Sequence, residues 1–138
     1  MIFYKKGYLY QLVEDYHVQT ELTGYEIMTD YISLNVTGLL SVSKGYAWDG
    51  PSGIAVDTKN FMRPSLIHDC FYQLLRADLL PQSCRQYADD RLKQDCIEDG
   101  MSKFRAWYVH LAVKTFAKSA ADPQIGRASC RERVSSPV

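Results

Sequence analysis

Residues Gly45 to Tyr72 read GYAWDGPSGIAVDTKNFMRPSLIHDCFY, and the change of character inside them decides the fold. A Gly-rich turn holding Asp49, Gly50 and Ser52 gives way to a helix expected to open at Pro64, a first position where the missing N–H costs nothing. On that helix His68 and Tyr72 stand four residues apart and share a face, which Leu75 continues one turn later. Asp69 lies about a quarter-turn to one side. No other segment gathers so many groups able to move a proton, bind a cation or hold an anion.

Upstream of this switch the pattern is that of strands. Tyr8 to Val13 is apolar and aromatic, Tyr16 to Leu22 and Tyr31 to Val36 alternate with period two, and Leu39 to Ser43 closes the series. Four or five short strands joined by turns at Thr23-Gly24 and Thr37-Gly38 predict an antiparallel meander. The tyrosines in these strands read as sheet formers packing on β-branched neighbours.

Downstream the period is helical. Leu66, Ile67, Phe71, Leu74 and Leu75 supply the apolar face of a first helix ending near Asp78. A second runs from Pro81 or Gln82 to Glu98, stopped by Gly100. Arg85 and Asp89, four apart, can pair along its surface. Leu92 and Cys96 continue the same side, which is expected to face the protein. Ser102 caps a third helix running to about Lys118. Its apolar content (Phe104, Trp107, Tyr108, Leu111, Val113, Phe116) makes it the one expected to close the core. The fold class is therefore α+β, an N-terminal antiparallel β-meander packed against three C-terminal helices.

With 138 residues, 46% of them hydrophobic, the chain suits one globular domain, expected over residues 1–124. Residues 125–138 lack apolar periodicity and caps, and IGRASCRERV resembles a reading frame of a common sequencing-adapter oligonucleotide. They are read as a disordered read-through tail. Of the chain's 16 basic and 16 acidic residues the tail holds Arg127, Arg131, Arg133 and Glu132. Removing 3 from the first and 1 from the second leaves 13 against 15, a net of about −2, which disfavours duplex nucleic acid as a partner. No apolar run approaches a membrane span, and the first six residues do not form a signal peptide. With Cys130 set aside in the tail, Cys70, Cys84 and Cys96 remain, odd in number with no C-x-x-C pair, the pattern of reduced thiols in a cytosolic protein rather than of a disulfide framework or a cysteine zinc site.

The chemistry centres on His68. A neutral imidazole takes a proton well near pH 7 when a carboxylate holds its second nitrogen. Asp69, adjacent in sequence, points elsewhere on a helix; Asp89 on the next helix can reach. His68, Asp89 and Asp69 are the candidate catalytic residues, with Asp69 left to position substrate or bind a divalent cation such as calcium. Trp48, Asp49, Gly50, Ser52, Tyr72 and Arg85 are the candidate substrate-binding residues. Backbone N–H groups of Gly50, Ser52 and Gly53 are suited to an anionic oxygen, although the loop is not a phosphate-binding P-loop.

Two resemblances attach to these residues. The pattern Gly45-Tyr46-Ala47-Trp48-Asp49-Gly50-x-Ser52, then Ser65-x-x-His68-Asp69-x-x-Tyr72, then Arg85-x-x-Ala88-Asp89, resembles a family of small tailed-phage and prophage proteins over roughly Tyr8 to Ala117. It implies a phage origin, a shared site and a location in the cytoplasm of an infected bacterial host, without fixing an activity. His68-Asp69-Cys70-Phe71-Tyr72 with Asp89 is similar to the helix pair of calcium-dependent phospholipase A2. That resemblance implies His68 activating water, Asp69 binding calcium, and Asp89 and Tyr72 orienting His68. The cysteine that the phospholipase pattern carries one position later is replaced here by Phe71, and the disulfide scaffold is missing. The expected function is hydrolysis of a small phosphodiester such as a cyclic nucleotide used as an anti-phage signal. Alternatives are a phospholipase A2-like calcium-dependent esterase, a non-catalytic protein that sequesters a nucleotide, and a virion component.

Overall fold

A computed structural model describes residues 4–5, 10–48 and 59–116. The α+β class expected from the sequence is the one observed. The chain divides into two compact units, Met1–Gly50 and Pro51–Val138, the first built of strands and the second of helices.

The first unit holds β1 (Tyr4–Lys5), β2 (Tyr10–Leu12), β3 (Tyr16–Gln19), β4 (Ile27–Met28), β5 (Ile32–Leu34), β6 (Leu39–Val42) and β7 (Ala47–Trp48). All pair antiparallel, in two sheets ordered β1-β2-β7 and β3-β6-β5-β4. The meander is β4-β5-β6, and β3 adds to the free side of β6 with Tyr16 opposite Val42. Period-two alternation places Tyr10 and Leu12, Ile32 and Leu34, and Leu40 and Val42 in the buried set, with Gln11, Ser33 and Ser41 more exposed between them.

The turn at Asn35–Gly38 is closed by chemistry specific to its residues. Asn35 Oδ1 accepts from the Thr37 and Leu39 amides at 3.1 and 2.9 Å. Gly38 has φ +90°, and a Cβ there would lie 2.5 Å from the Thr20 carbonyl oxygen, so glycine is required twice over.

The short last strand was not foreseen. Gly45 to Trp48 is not all turn: Ala47 and Trp48 form β7, with Trp48 opposite Tyr10. Two residues are too few for a visible alternation, and aromatic pairing supplies what periodicity does not. Tyr10 and Trp48 ring centroids are 5.8 Å apart, and Tyr46 stacks on Trp48 at 6.4 Å.

The second unit comprises α1 (Lys59–Arg76), a 3₁₀ turn at Gln82–Cys84, α2 (Arg85–Glu98) and α3 (Lys103–Phe116). Helix α1 does not open at Pro64 but one and a half turns earlier, with Pro64 inside it. Pro64 removes the N–H that would serve the carbonyl four residues back. Two side chains hold this turn regardless. Met62 is buried, and Arg63 reaches Asp99 beyond the end of α2 with Nε at 3.0 and 3.1 Å and Nη2 at 2.9 Å. Ser65 Oγ also donates to the Met62 carbonyl at 2.9 Å.

Contacts of Arg63 with Asp99 and of His68 with Asp89 run in opposite order along the two helices, so α1 and α2 are antiparallel. Leu66, Ile67, Phe71, Leu74 and Leu75 are all buried as their spacing predicts, and Phe71 meets Tyr87 of α2 edge-on at 5.9 Å. Full burial of each such side chain contributes about 1.5–3 kcal/mol. Gly100 ends α2 with φ +103°, and the Ser102 Oγ caps α3 by accepting from the Arg105 amide at 3.2 Å.

Helix α3 departs from expectation. It packs on α2 through Ala106, Val109 and Val113, which join Leu92, Cys96 and Met101 in one cluster. Its largest apolar residues point the other way: Phe104 is 77% exposed, and Trp107, Tyr108 and Leu111 are about half exposed. Apolar content alone misled here, because the small residues at 106, 109 and 113 are the ones that fit close against α2.

Cys70, Cys84 and Cys96 are buried thiols outside any disulfide. Burial, helped by Asp95 and Asp99, pushes the Cys96 thiol up to about 12. In the folded protein at pH 8 Cys96 is therefore expected to resist thiol reagents, and to react once unfolded. Rapid labelling of native Cys96 would show that this part of the core opens.

Candidate active site

One turn of α1 and the middle of α2 assemble the group that the sequence singled out. His68 Nε2 lies 2.8 Å from Asp89 Oδ1, and the Tyr72 hydroxyl donates to the same oxygen at 2.6 Å. The helical repeat of α1 stacks Tyr72 under His68, ring centroids 4.2 Å apart. Asp89 is 1% exposed and His68 13%, so the carboxylate is enclosed while part of the imidazole remains open. Asp89 takes this role, not Asp69, which is half-buried on α1.

An ionised carboxylate only accepts, so Asp89 fixes the proton on His68 Nε2 and leaves Nδ1 as the nitrogen able to take one. Burial first, and then the bond to Asp89, push the Tyr72 hydroxyl far above the ordinary phenol range. Tyr72 consequently stays a donor, and its role is to hold Asp89 in place. Replacing Tyr72 by Phe removes a charge-assisted hydrogen bond and should cost about 1.5–3 kcal/mol of stability. Unchanged melting of Tyr72→Phe would refute the positioning role.

The Asp89 side of α2 faces the protein as expected, and Asp89 Oδ1 is given to His68 and Tyr72 there and not to Arg85. The charge of Arg85 works against the rise of the Tyr72 hydroxyl, and its Nη1 is buried with no hydrogen-bond partner among the described residues. Trp48 is buried beside Tyr10 and Tyr46 in the first unit, a packing role for a residue expected to bind substrate. Asp49, Gly50 and Ser52 lie outside the described residues, as does the tail at 125–138.

No protein-family model, curated protein or solved structure matches the chain. The site therefore has to be read from its own chemistry. Among the described residues no group of three or more His, Cys, Asp or Glu side chains is placed to hold a metal ion. No helix among them is long and apolar enough to cross a membrane.

Two further constellations went unforeseen. Arg91 Nε spans both oxygens of Asp95 at 3.0 and 3.1 Å, and Arg63 joins Asp95, Glu98 and Asp99 from α1. The i,i+4 spacing of Arg91 and Asp95 was visible in sequence; that this pair lies in the interior was not. His110 Nε2 contacts Asp90 Oδ1 at 2.7 Å and ties α3 to α2. Asp90 is half exposed, unlike the enclosed Asp89.

Proposed function

We propose that the protein is a hydrolase in which His68 is the general base, Asp89 its orienting carboxylate and Tyr72 the donor that fixes Asp89. The observation that carries this reading is the 2.8 Å His68–Asp89 contact made with an otherwise enclosed carboxylate. A His–carboxylate pair with one imidazole nitrogen left over is what proton abstraction from water needs. The preferred substrate is a small phosphodiester, with cyclic nucleotides used as anti-phage signals the leading class. The phage-family resemblance and the cationic Arg85 next to the pair support it. In this reaction His68 Nδ1 takes a proton as water oxygen bonds to phosphorus. The ester P–O bond breaks, and His68 returns the proton to the leaving oxygen.

The test is incubation with a panel of cyclic nucleotides and phospholipids, followed by mass spectrometry of ligand and product. Product formed by the parent and lost in His68→Ala supports the reading. Ligand bound and recovered unchanged would replace it with sequestration.

A phospholipase A2-like esterase is the second reading, favoured by one observation. Such an enzyme needs an apolar rim facing lipid, and Phe104, Trp107, Tyr108 and Leu111 present one on α3. Lipid turnover that stops with a calcium chelator selects this alternative.

A further inference from the structure

We infer that the outward face of α3 docks on an anionic lipid surface, its aromatic side chains entering the headgroup layer while the cations beside them meet lipid phosphates. The inference is independent of the hydrolase reading and of its substrate. Spacings of three and four residues put Phe104, Trp107, Tyr108 and Leu111 on one exposed stripe. It lies opposite the stripe of Ala106, Val109 and Val113 that packs on α2. Phe104 and Trp107 pair within it, ring centroids 6.2 Å apart. Trp and Tyr carry a polar tip on an apolar ring, which suits the boundary between headgroups and acyl chains.

Charge selects the occupant. Helix α3 holds Lys103, Arg105 and Lys114 and no acidic residue. Lys103 and Arg105 flank Phe104 about 100° to either side, and Lys114 returns to the Lys103 flank about 16 Å along the axis. Both lysines are exposed and Arg105 is half-buried. Lys103 and Arg105 sit in the first helical turn, where the dipole favours acids, so local helix stability does not account for them. Asp90 of α2 stands at the lysine edge, but it already contacts His110 Nε2 at 2.7 Å. A second copy of the chain fits poorly, because paired α3 helices would set these like charges together. Area argues the same way. With about 150–250 Å² to an aromatic side chain, the stripe offers roughly 450 Å², against the ~800 Å² per partner of a stable protein interface. A lipid surface has no such threshold, and it gains affinity from each buried ring and each cation near phosphate.

Co-sedimentation of the full chain with vesicles supplies the test, using phosphatidylcholine alone and an equimolar mixture with phosphatidylglycerol. The protein should sediment with the mixed vesicles and bind neutral ones about tenfold or more weakly, with added salt narrowing the gap. Tryptophan emission should move to shorter wavelength on binding. That shift reports Trp107, since Trp48 is already buried. Phe104→Ser with Trp107→Ser should weaken binding about tenfold or more while far-ultraviolet dichroism stays that of the parent, both positions being exposed. Lys103→Ala with Lys114→Ala should lose a similar factor on mixed vesicles and little on neutral ones. If the serine variant fails to fold, the lysine variant and the salt dependence of the parent decide the matter. Absence of vesicle binding by the parent, or equal binding to neutral and mixed vesicles, overturns the inference. So does a dimer in solution that the serine variant abolishes, with no vesicle bound, which would make a second copy the occupant. Turnover of a cyclic nucleotide without vesicle binding sinks this inference alone. Vesicle binding without turnover of any substrate leaves it standing and removes the hydrolase reading.

Discussion

His68→Ala is expected to lose about 10²- to 10⁴-fold in turnover while substrate still binds, because the imidazole moves the proton and other groups hold the ligand. Asp89→Asn should approach that loss by a different route. The amide matches the carboxylate in size and keeps Tyr72 within reach. It has no charge to balance an imidazolium, and its NH₂ can donate to Nε2 and so shift the ring proton to Nδ1. The base would then present its N–H to the water it should deprotonate. The two substitutions together should cost no more than His68→Ala alone, since they act as one unit. Single-turnover rates with a cyclic nucleotide, read beside equilibrium binding, give each term separately. A His68→Ala protein that hydrolyses every substrate as fast as the parent would make the dyad structural and leave sequestration or a virion role. Asp69→Asn separates the cation question: it mimics chelator treatment if Asp69 binds an ion, and otherwise chelator leaves the parent unaffected.

Much of that dyad was legible from spacing. Residues four apart on a helix must share a face, so His68 and Tyr72 had to be neighbours, and an adjacent Asp69 had to point aside. Finding the partner required only that a second helix return alongside the first, which short connections enforce. The inward position of Asp89 was legible too, since Leu92 and Cys96 mark its side of α2 as facing the protein, where two donors from α1 compensate its charge. What spacing does not reveal is which of two apolar faces packs. That blindness explains α3. Four large apolar residues at i, i+3, i+4 and i+7 look like a core face, and the true core face is Ala106, Val109 and Val113. Composition ranks hydrophobicity; packing against α2 selects for residues small enough to let the helices approach. The loss of an N–H at Pro64 was read as a boundary for a similar reason. Long-range anchors, Met62 in the core and Arg63 on Asp99, outweigh the local penalty and extend α1 backwards.

The largest expected effect on stability lies in the ion network that those anchors belong to. Asp95 is fully buried and is held by Arg91, itself 9% exposed, and by Arg63 Nη2 at 3.6 Å. Burial pushes the Asp95 carboxyl up, while Arg91 and Arg63 pull it back. Burial loosens the Arg91 proton, but Tyr87 and Asp95 together outweigh it, and Arg91 holds its proton more tightly than usual. The Arg91 Nε lies 3.0 and 3.1 Å from the two Asp95 oxygens, and this adjacent cation favours the carboxylate form. Asp95→Ala then strands a buried guanidinium, a loss of about 3–5 kcal/mol. For a domain of this size that lowers the melting temperature by about 10 °C or more. Asp99→Ala should cost much less, about 1 kcal/mol, because Asp99 is partly exposed and Arg63 retains Asp95 and Glu98. The decisive variant removes both charges: Arg91→Met with Asp95→Leu should recover most of the loss, since an apolar pair of similar volume has nothing left to desolvate. Thermal and urea unfolding of the three proteins measure these differences. If Asp95→Ala unfolds within about 1 kcal/mol of the parent, water reaches Arg91 and the interior of the helical unit is wetter than its packing implies.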